Sequence, residues 1–350
     1  MDRPRVTVIG AGSQGLAMAA YLEINNVESY LYNRTESHIS KIIKNREIIC
    51  EGIWKGRIDI CSASSQIEDV LQKIILVTVP AYGHREIAAL LAGHVDASYT
   101  IILSPGKVFG IIDFVGALKE AGCKELPLVA ECQTTVCASR KEGEDHIRVY
   151  GMKKDIPIAA ENIDEVMSRL PGCIRECYRK VDSFIETSFG NMGMVLHPLP
   201  MLLNFGAVDN GRKFRYYKEG ITPVIADLIE KLDRERLGVA YRLGYELESI
   251  KDWMKRNYGT TGAGFYEHIQ TNTCYGGMEA PTSIHNRFIE EDIPYGLVPL
   301  EDTAKKLGVE VPVATGTISF ASVVMGRNYR SQGRSCNLYK IVKHGVDYEG

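Results

Sequence analysis

One run near the amino terminus restricts the fold more than anything else in the chain. Val6-Thr7-Val8-Ile9 leads into Gly10-Ala11-Gly12-Ser13-Gln14-Gly15 and then into Leu16-Ala17-Met18-Ala19-Ala20-Tyr21-Leu22. A β-branched strand, a glycine turn and a helix-prone segment follow one another in the order a dinucleotide site requires. Gly10 permits the tight turn, Gly12 lets the backbone approach a pyrophosphate, and Gly15 lets the helix pack close to the strand. Ser13 and Gln14 open that helix, whose unpaired N–H groups suit phosphate oxygens. Glycine turns alone are common; a second strand, "SYLYNR", at the right distance makes this one a cofactor site.

The end of that second strand selects the cofactor. A ribose 2′-hydroxyl is usually held there by an acid, whereas a 2′-phosphate needs a cation and donors. Asn33-Arg34-Thr35 stands at this place, with no acid before Glu36. The expected cofactor is therefore NADP, bound by Arg34 with Asn33 and Thr35, with NAD as the alternative. Apolar runs at 73–80, 99–106 and 126–132 recur at α/β spacing, as in a parallel sheet covered on both faces. The turns that follow them, Pro80-Ala81-Tyr82 and Ser104-Pro105-Gly106-Lys107, fall at carboxyl ends, where ligands bind. "HIRVYGMKKDIPIAA" (146–160) alternates like a β-hairpin turning at Lys-Lys-Asp.

Beyond about residue 185 the strand signals fade. Thr222-Pro223 opens a helical pattern that runs to about 254, with Val224, Leu228, Leu232, Val239, Leu243 and Leu247 as its apolar stripe and "EKLDRER" as a solvated face. The expected fold is a doubly wound, mostly parallel α/β Rossmann domain (1–185) followed by an all-α domain (186–350) that binds substrate. A homodimer is expected, because long amphipathic helices often bury a face against a partner.

The charge balance of 41 basic and 44 acidic residues, net −3, offers no field for nucleic acid or an anionic membrane. No run approaches the roughly 20 apolar residues of a membrane-spanning helix. Met1 leads directly into a charged segment and a strand, so a cytoplasmic location is expected. Nine cysteines, at 50, 61, 123, 132, 137, 173, 177, 274 and 336, lack zinc-site spacing and read as small buried hydrophobes. No metal is expected.

"GNMGMVLHPLPMLLNFG", then "KFRYYKEGITPVIADLIEKLDRERLGVAYRLG", then "NRFIEEDIPYGLVPL" together resemble the opine dehydrogenases, the octopine and nopaline dehydrogenase group. The resemblance runs in order from Gly10 to about Pro312. It implies reductive condensation of an amino acid with a 2-oxo acid. It places the catalytic histidine at His197, its aspartate partner at Asp292 and a carboxylate-binding arginine at Arg287. Glu131 and Arg140 carry over only loosely, because "AECQTTVCASR" departs from the family's usual segment.

These residue types suit the chemistry. An imine carbon accepts hydride readily only when its nitrogen is protonated, and histidine titrates near neutrality. A carboxylate on the other ring nitrogen sets the tautomer and favours the imidazolium. A guanidinium fork suits a substrate carboxylate. In isolation, His197 could instead be structural, Asp292 a helix cap, and Arg287 half of a surface ion pair. One rival reading is a hydroxyacid or ketopantoate-type dehydrogenase acting on an oxo acid alone. Many of those use Lys-x-x-x-Asn, which is absent from the second half of this chain. A second rival is a regulator that binds NADP without turning it over.

Overall fold

The computed structural model describes residues 3–335; Cys336 lies outside them. The chain divides into two compact units. The first comprises the chain up to Gly106 together with Gly110–Thr187, and the second comprises Lys107–Phe109 together with the chain from Ser188.

The first unit is built on an eight-stranded sheet. Its strands are β1 (Arg5–Ile9), β2 (Glu28–Tyr32), β5 (Ser62–Ser64), β6 (Ile74–Val77), β7 (Thr100–Leu103), β8 (Leu128–Cys132), β11 (Ile156–Ala160) and β12 (Tyr178–Lys180), in the order β12-β11-β8-β7-β6-β1-β2-β5. Every pairing is parallel except β8 with β11. The central strands are buried almost throughout, which is why they read as continuous apolar runs. The longer helices that accompany the strands are α1 (Ser13–Ile24), α2 (His84–Leu91), α3 (Gly110–Glu120) and α4 (Ile163–Arg169). Strand order reverses between β1 and β6, and this switch point opens a crevice at the carboxyl ends.

A smaller sheet, ordered β4-β3-β10-β9, also belongs to this unit: β3 (Glu47–Gly52), β4 (Gly56–Asp59), β9 (Cys137–Lys141) and β10 (His146–Met152). It overturns the hairpin expected at 146–160. β10 pairs with β3 and β9, whereas β11 pairs with β8 and β12 in the large sheet. Alternation reports that each strand has a buried face, not which neighbour supplies it. The Lys-Lys-Asp segment, with Asp155 at φ 52°, carries the chain from one sheet to the other.

The second unit is helical. Its principal helices are α5 (Pro223–Arg242), α6 (Ile250–Tyr258), α7 (Phe265–Thr271), α8 (Val298–Leu307) and α9 (Pro312–Met325). Thr222 caps α5 as expected, its side chain accepting from the Ile225 N–H. The pattern expected to run on to 254 breaks after Arg242, where Gly244 takes φ 93°, and Ser249 caps a new helix.

The stripe also differs. Val224 is exposed, and the buried face runs through Ile225, Ile229, Leu232, Arg236 and Val239. Two residues of the expected solvated face, Asp233 and Arg236, are buried. Arg236 donates to Asp233 (2.8 Å) and to the carbonyls of Phe189 (2.8 Å) and Glu248 (2.7 Å), while Asp233 accepts from the Ile250 N–H (2.8 Å). With each guanidinium nitrogen engaged, the pair ties α5 to its neighbours. Among the described residues no helix is long and apolar enough to cross a membrane.

Candidate functional site

In the first unit the glycine turn sits at the switch point. A Cβ on Gly15 would lie 1.7 Å from the Gly10 carbonyl oxygen, so the approach of helix to turn requires glycine there. A Cβ on Gly12 would meet no protein atom within 4 Å. Packing therefore does not explain that glycine, whereas a pyrophosphate lying against the backbone would.

The turn is held from behind by the small sheet. The Ser13 hydroxyl accepts from the Lys141 N–H (2.9 Å), the Ser13 carbonyl accepts from Ser139 Oγ (3.1 Å), and the buried Gln14 amide lies against the Val136–Cys137 backbone. The side chains of Ser13 and Gln14 thus anchor the turn, leaving it their backbone groups for phosphate. Lys141 Nζ donates to the Ala11 carbonyl at 2.8 Å, and burial pushes its amine below the ordinary lysine value. This cation beside the turn was missed in the sequence, because it arrives from β9 of the other sheet.

A cleft of about 330 Å³ adjoins the turn, lined by Gly10, Asn33, Arg34, Thr35, Pro80 and Glu86 among others. Asn33 is engaged at both ends, accepting from the Ala11 N–H (3.2 Å) and donating to the Thr35 carbonyl (2.8 Å). Its side chain thus braces the pocket wall, with one amide N–H committed to Thr35. Arg34 is exposed and paired with Glu86, an acid from α2 whose arrival beside β2 the sequence does not signal. Glu131 is fully buried and accepts from the Ile111 N–H and the Thr187 hydroxyl, so it binds elements of the fold together. Arg140 is exposed on β9.

In the second unit His197 and Asp292, 95 positions apart, are hydrogen-bonded at 2.7 Å through Nδ1 and Oδ2. His197 lies between two short helices, Gly193–Leu196 and Pro198–Leu203, where Pro198 at the first helical position sets the turn. Asp292 precedes a π-turn, Ile293–Leu297, but its carboxylate makes no capping bond. The helix-cap alternative thus does not describe it, and such turns recur at functional sites.

Burial alone would push the Asp292 carboxyl up, yet Lys107 and His197 beside it hold it well below the usual carboxylate range. An ionised carboxylate only accepts, so Nδ1 carries a proton and exchange is left to Nε2. Nε2 lies 3.1 Å from the Tyr217 hydroxyl, whose acidity burial suppresses, so it stays protonated. The Phe288 ring stacks on the imidazole at 4.0 Å and 17°. Arg287, half exposed, reaches Glu291 through Nε (3.1 Å) and Nη2 (3.0 Å). It is thus in an ion pair, but with a buried acid that holds its base. Tyr217, inside the "KFRYYKEG" run, and Lys107, in the turn after β7, belong to this network, but nothing in the sequence tied either to His197.

The family model described as NAD/NADP octopine/nopaline dehydrogenase, alpha-helical domain, matches residues 180–325, and that of the NAD-dependent glycerol-3-phosphate dehydrogenase N-terminus matches residues 5–107. The opine dehydrogenase of Arthrobacter sp. (strain 1C) is 30% identical over 349 residues, covering 98% of this chain and 96% of its own. Among solved structures, a yersinopine dehydrogenase with NADP+ bound has a TM-score of 0.75 at 14% identity, covering 99% of this chain and 96% of that one. An octopine dehydrogenase complex with NADH and L-arginine has a TM-score of 0.73 at 20% identity, covering 92% and 90%. These two share the fold. The near-full-length relationship to the Arthrobacter enzyme goes further: the chain belongs to the opine dehydrogenase family of NAD(P)-dependent oxidoreductases.

Proposed function

We propose that the protein catalyses NADPH-dependent reductive condensation of an amino acid with a 2-oxo acid, and the reverse oxidation. The observation that carries this reading is the His197 Nδ1–Asp292 Oδ2 bond of 2.7 Å. It leaves Nε2 as the nitrogen through which the ring gains or loses a proton.

In the condensing direction the amine and the keto carbon join with loss of water to form an imine. His197 delivers a proton to the imine nitrogen, and in the reverse direction it takes one from the secondary amine. The nicotinamide, when bound, supplies the hydride that reduces the imine carbon. Before substrate binds, Tyr217 donates to Nε2 of the neutral ring and accepts from the imidazolium; the substrate nitrogen takes over that position when it exchanges a proton with the ring. Arg287, braced by Glu291, is the guanidinium that would meet a substrate carboxylate.

The cofactor pocket suits NADPH. Arg34 supplies a cation where the 2′-phosphate would lie, Lys141 supplies charge beside the pyrophosphate turn, and the backbone at Gly12 is open to close approach. The eight cysteines among the described residues are free, which fits the reading of a cytoplasmic enzyme.

The test is NADPH oxidation with a panel of 2-oxo acids, each with and without a panel of amino acids, in wild type and His197→Ala. Turnover should need both substrates and be lost in the variant. Turnover with an oxo acid alone would make the protein a simple oxo-acid reductase. NADPH binding without turnover by any pair would make it a sensor.

A further inference from the structure

Asp292 has two basic partners. Oδ2 takes the bond from His197, while Oδ1 accepts from Lys107 Nζ at 2.5 Å, with the lysine and aspartate side chains only 4% and 1% exposed. Orienting a histidine takes one carboxylate and no second cation, and burying an ammonium is costly. Lys107 therefore needs an explanation of its own.

The backbone is strained to bring it there. Lys107 and Phe109 adopt φ 62° and 58°, a left-handed region that residues other than glycine keep only where their surroundings enforce it. The enforcement is visible. Val108 donates to the Tyr295 carbonyl (3.1 Å) and accepts from Arg334 Nη1 (2.7 Å), and the Phe109 N–H donates to Ser188 Oγ (3.0 Å). These bonds make three residues part of the second unit although the chain on both sides of them belongs to the first. Gly193 leaves room for the contact: a Cβ there would lie 2.6 Å from Asp292 Oδ1 and 2.9 Å from Lys107 Nζ.

From this geometry, and resting on the acid–base reading of His197, we infer that Lys107 is a positioning residue that sets the proton affinity of His197 by offsetting the charge of Asp292. In a plain Asp–His pair the carboxylate holds the imidazolium fully. With Lys107 on the other oxygen, protonating the ring adds a positive charge to a site already neutral, so the ring parts with its proton more readily. A group that must give a proton in one direction and take it in the other needs that balance.

The other groups around the ring leave this role to Lys107. Tyr217 on Nε2 is held protonated by burial among Tyr216, Tyr258 and Tyr275, and Tyr216 spends its hydroxyl on the His197 carbonyl. Arg287 is balanced by Glu291. Phe288 offers an uncharged face.

The experiment is an NMR titration of the full-length protein, with the His197 imidazole assigned through His197→Gln. In Lys107→Gln the His197 midpoint should rise by about one pH unit or more, and in Lys107→Arg it should return toward wild type. An unmoved midpoint in folded Lys107→Gln overturns the inference. Should that variant not fold, the wild type decides: the Lys107 15Nζ shift must inflect at the His197 midpoint, and a flat trace overturns it equally. These measurements need neither substrate nor cofactor. They are therefore independent of the amine and oxo-acid reading, which fails separately if no pair of substrates oxidises NADPH. Where turnover is found, the His197 limb of the kcat/KM profile should move upward with the NMR midpoint, in both directions; a merely structural lysine would lower the rate without moving the limb.

Discussion

Arg34, at the end of β2, and Glu86, in the first turn of α2, are bonded across the mouth of the cofactor pocket, with Arg34 Nη1 donating to Glu86 Oε1 at 2.6 Å. The guanidinium proposed to meet a 2′-phosphate is thus shared with an acid that would repel one. Exposed pairs hold weakly, so a bound phosphate can displace Glu86. Glu86→Gln should raise the preference for NADPH, and Arg34→Asp should shift it toward NADH, each roughly tenfold or more in the ratio of kcat/KM values. An unchanged ratio in both variants would remove this pair from cofactor selection.

Asp292→Asn keeps the size of the side chain and removes its charge. An amide in place of Oδ2 can present its NH2 to Nδ1, which then becomes the unprotonated nitrogen, and Nε2 faces the substrate in the wrong form. The expected loss in kcat is roughly 10²- to 10⁴-fold, with little change in the KM for NADPH. A loss confined to the NADPH KM would contradict the assignment.

The same carboxylate makes stability depend on pH. Because Lys107 and His197 hold the Asp292 carboxyl below its usual range, the folded state binds fewer protons than the unfolded chain in mild acid. The resulting stability is present above the unfolded carboxylate range and is lost as pH falls toward the folded value. The difference in urea midpoint between wild type and Asp292→Asn should therefore shrink below about pH 4. A difference constant from neutral to acid pH would mean that Asp292 is not ionised in the folded protein.

Arg236 on α5 tests the core of the second unit. Its removal leaves Asp233 buried without its cation and two backbone carbonyls without a donor. Arg236→Ala should cost about 3–5 kcal/mol, seen as a lower midpoint in thermal or urea unfolding. Asp233→Asn, which keeps a partner for the Ile250 N–H, should cost less. A full loss in Arg236→Ala with none in Asp233→Asn would show that packing volume rather than charge governs the site.

Much of the fold is legible in neighbouring residues. Strand, glycine turn and helix are local patterns, and so are the apolar runs of a buried parallel sheet and the Thr222-Pro223 helix start, so each could be read from neighbouring residues. His197, Asp292 and Arg287 became candidates through the motifs around them, without any view of their distances.

Tertiary structure decided which distant residues share a charge or a strand ladder. It placed β10 and β11 in different sheets, broke the long helix at Gly244, and turned Asp233 and Arg236 inward. It brought Lys141 to the glycine turn and Glu86 to Arg34, and it bent 107–109 into the second unit so that Lys107 could share Asp292 with His197. Strand periodicity and helix propensity act over a few residues, whereas charge pairing and burial act over a few ångströms wherever the chain returns. Lys107 and Asp292 lie 185 positions apart in sequence and 2.5 Å apart in space, and only folding makes them one site.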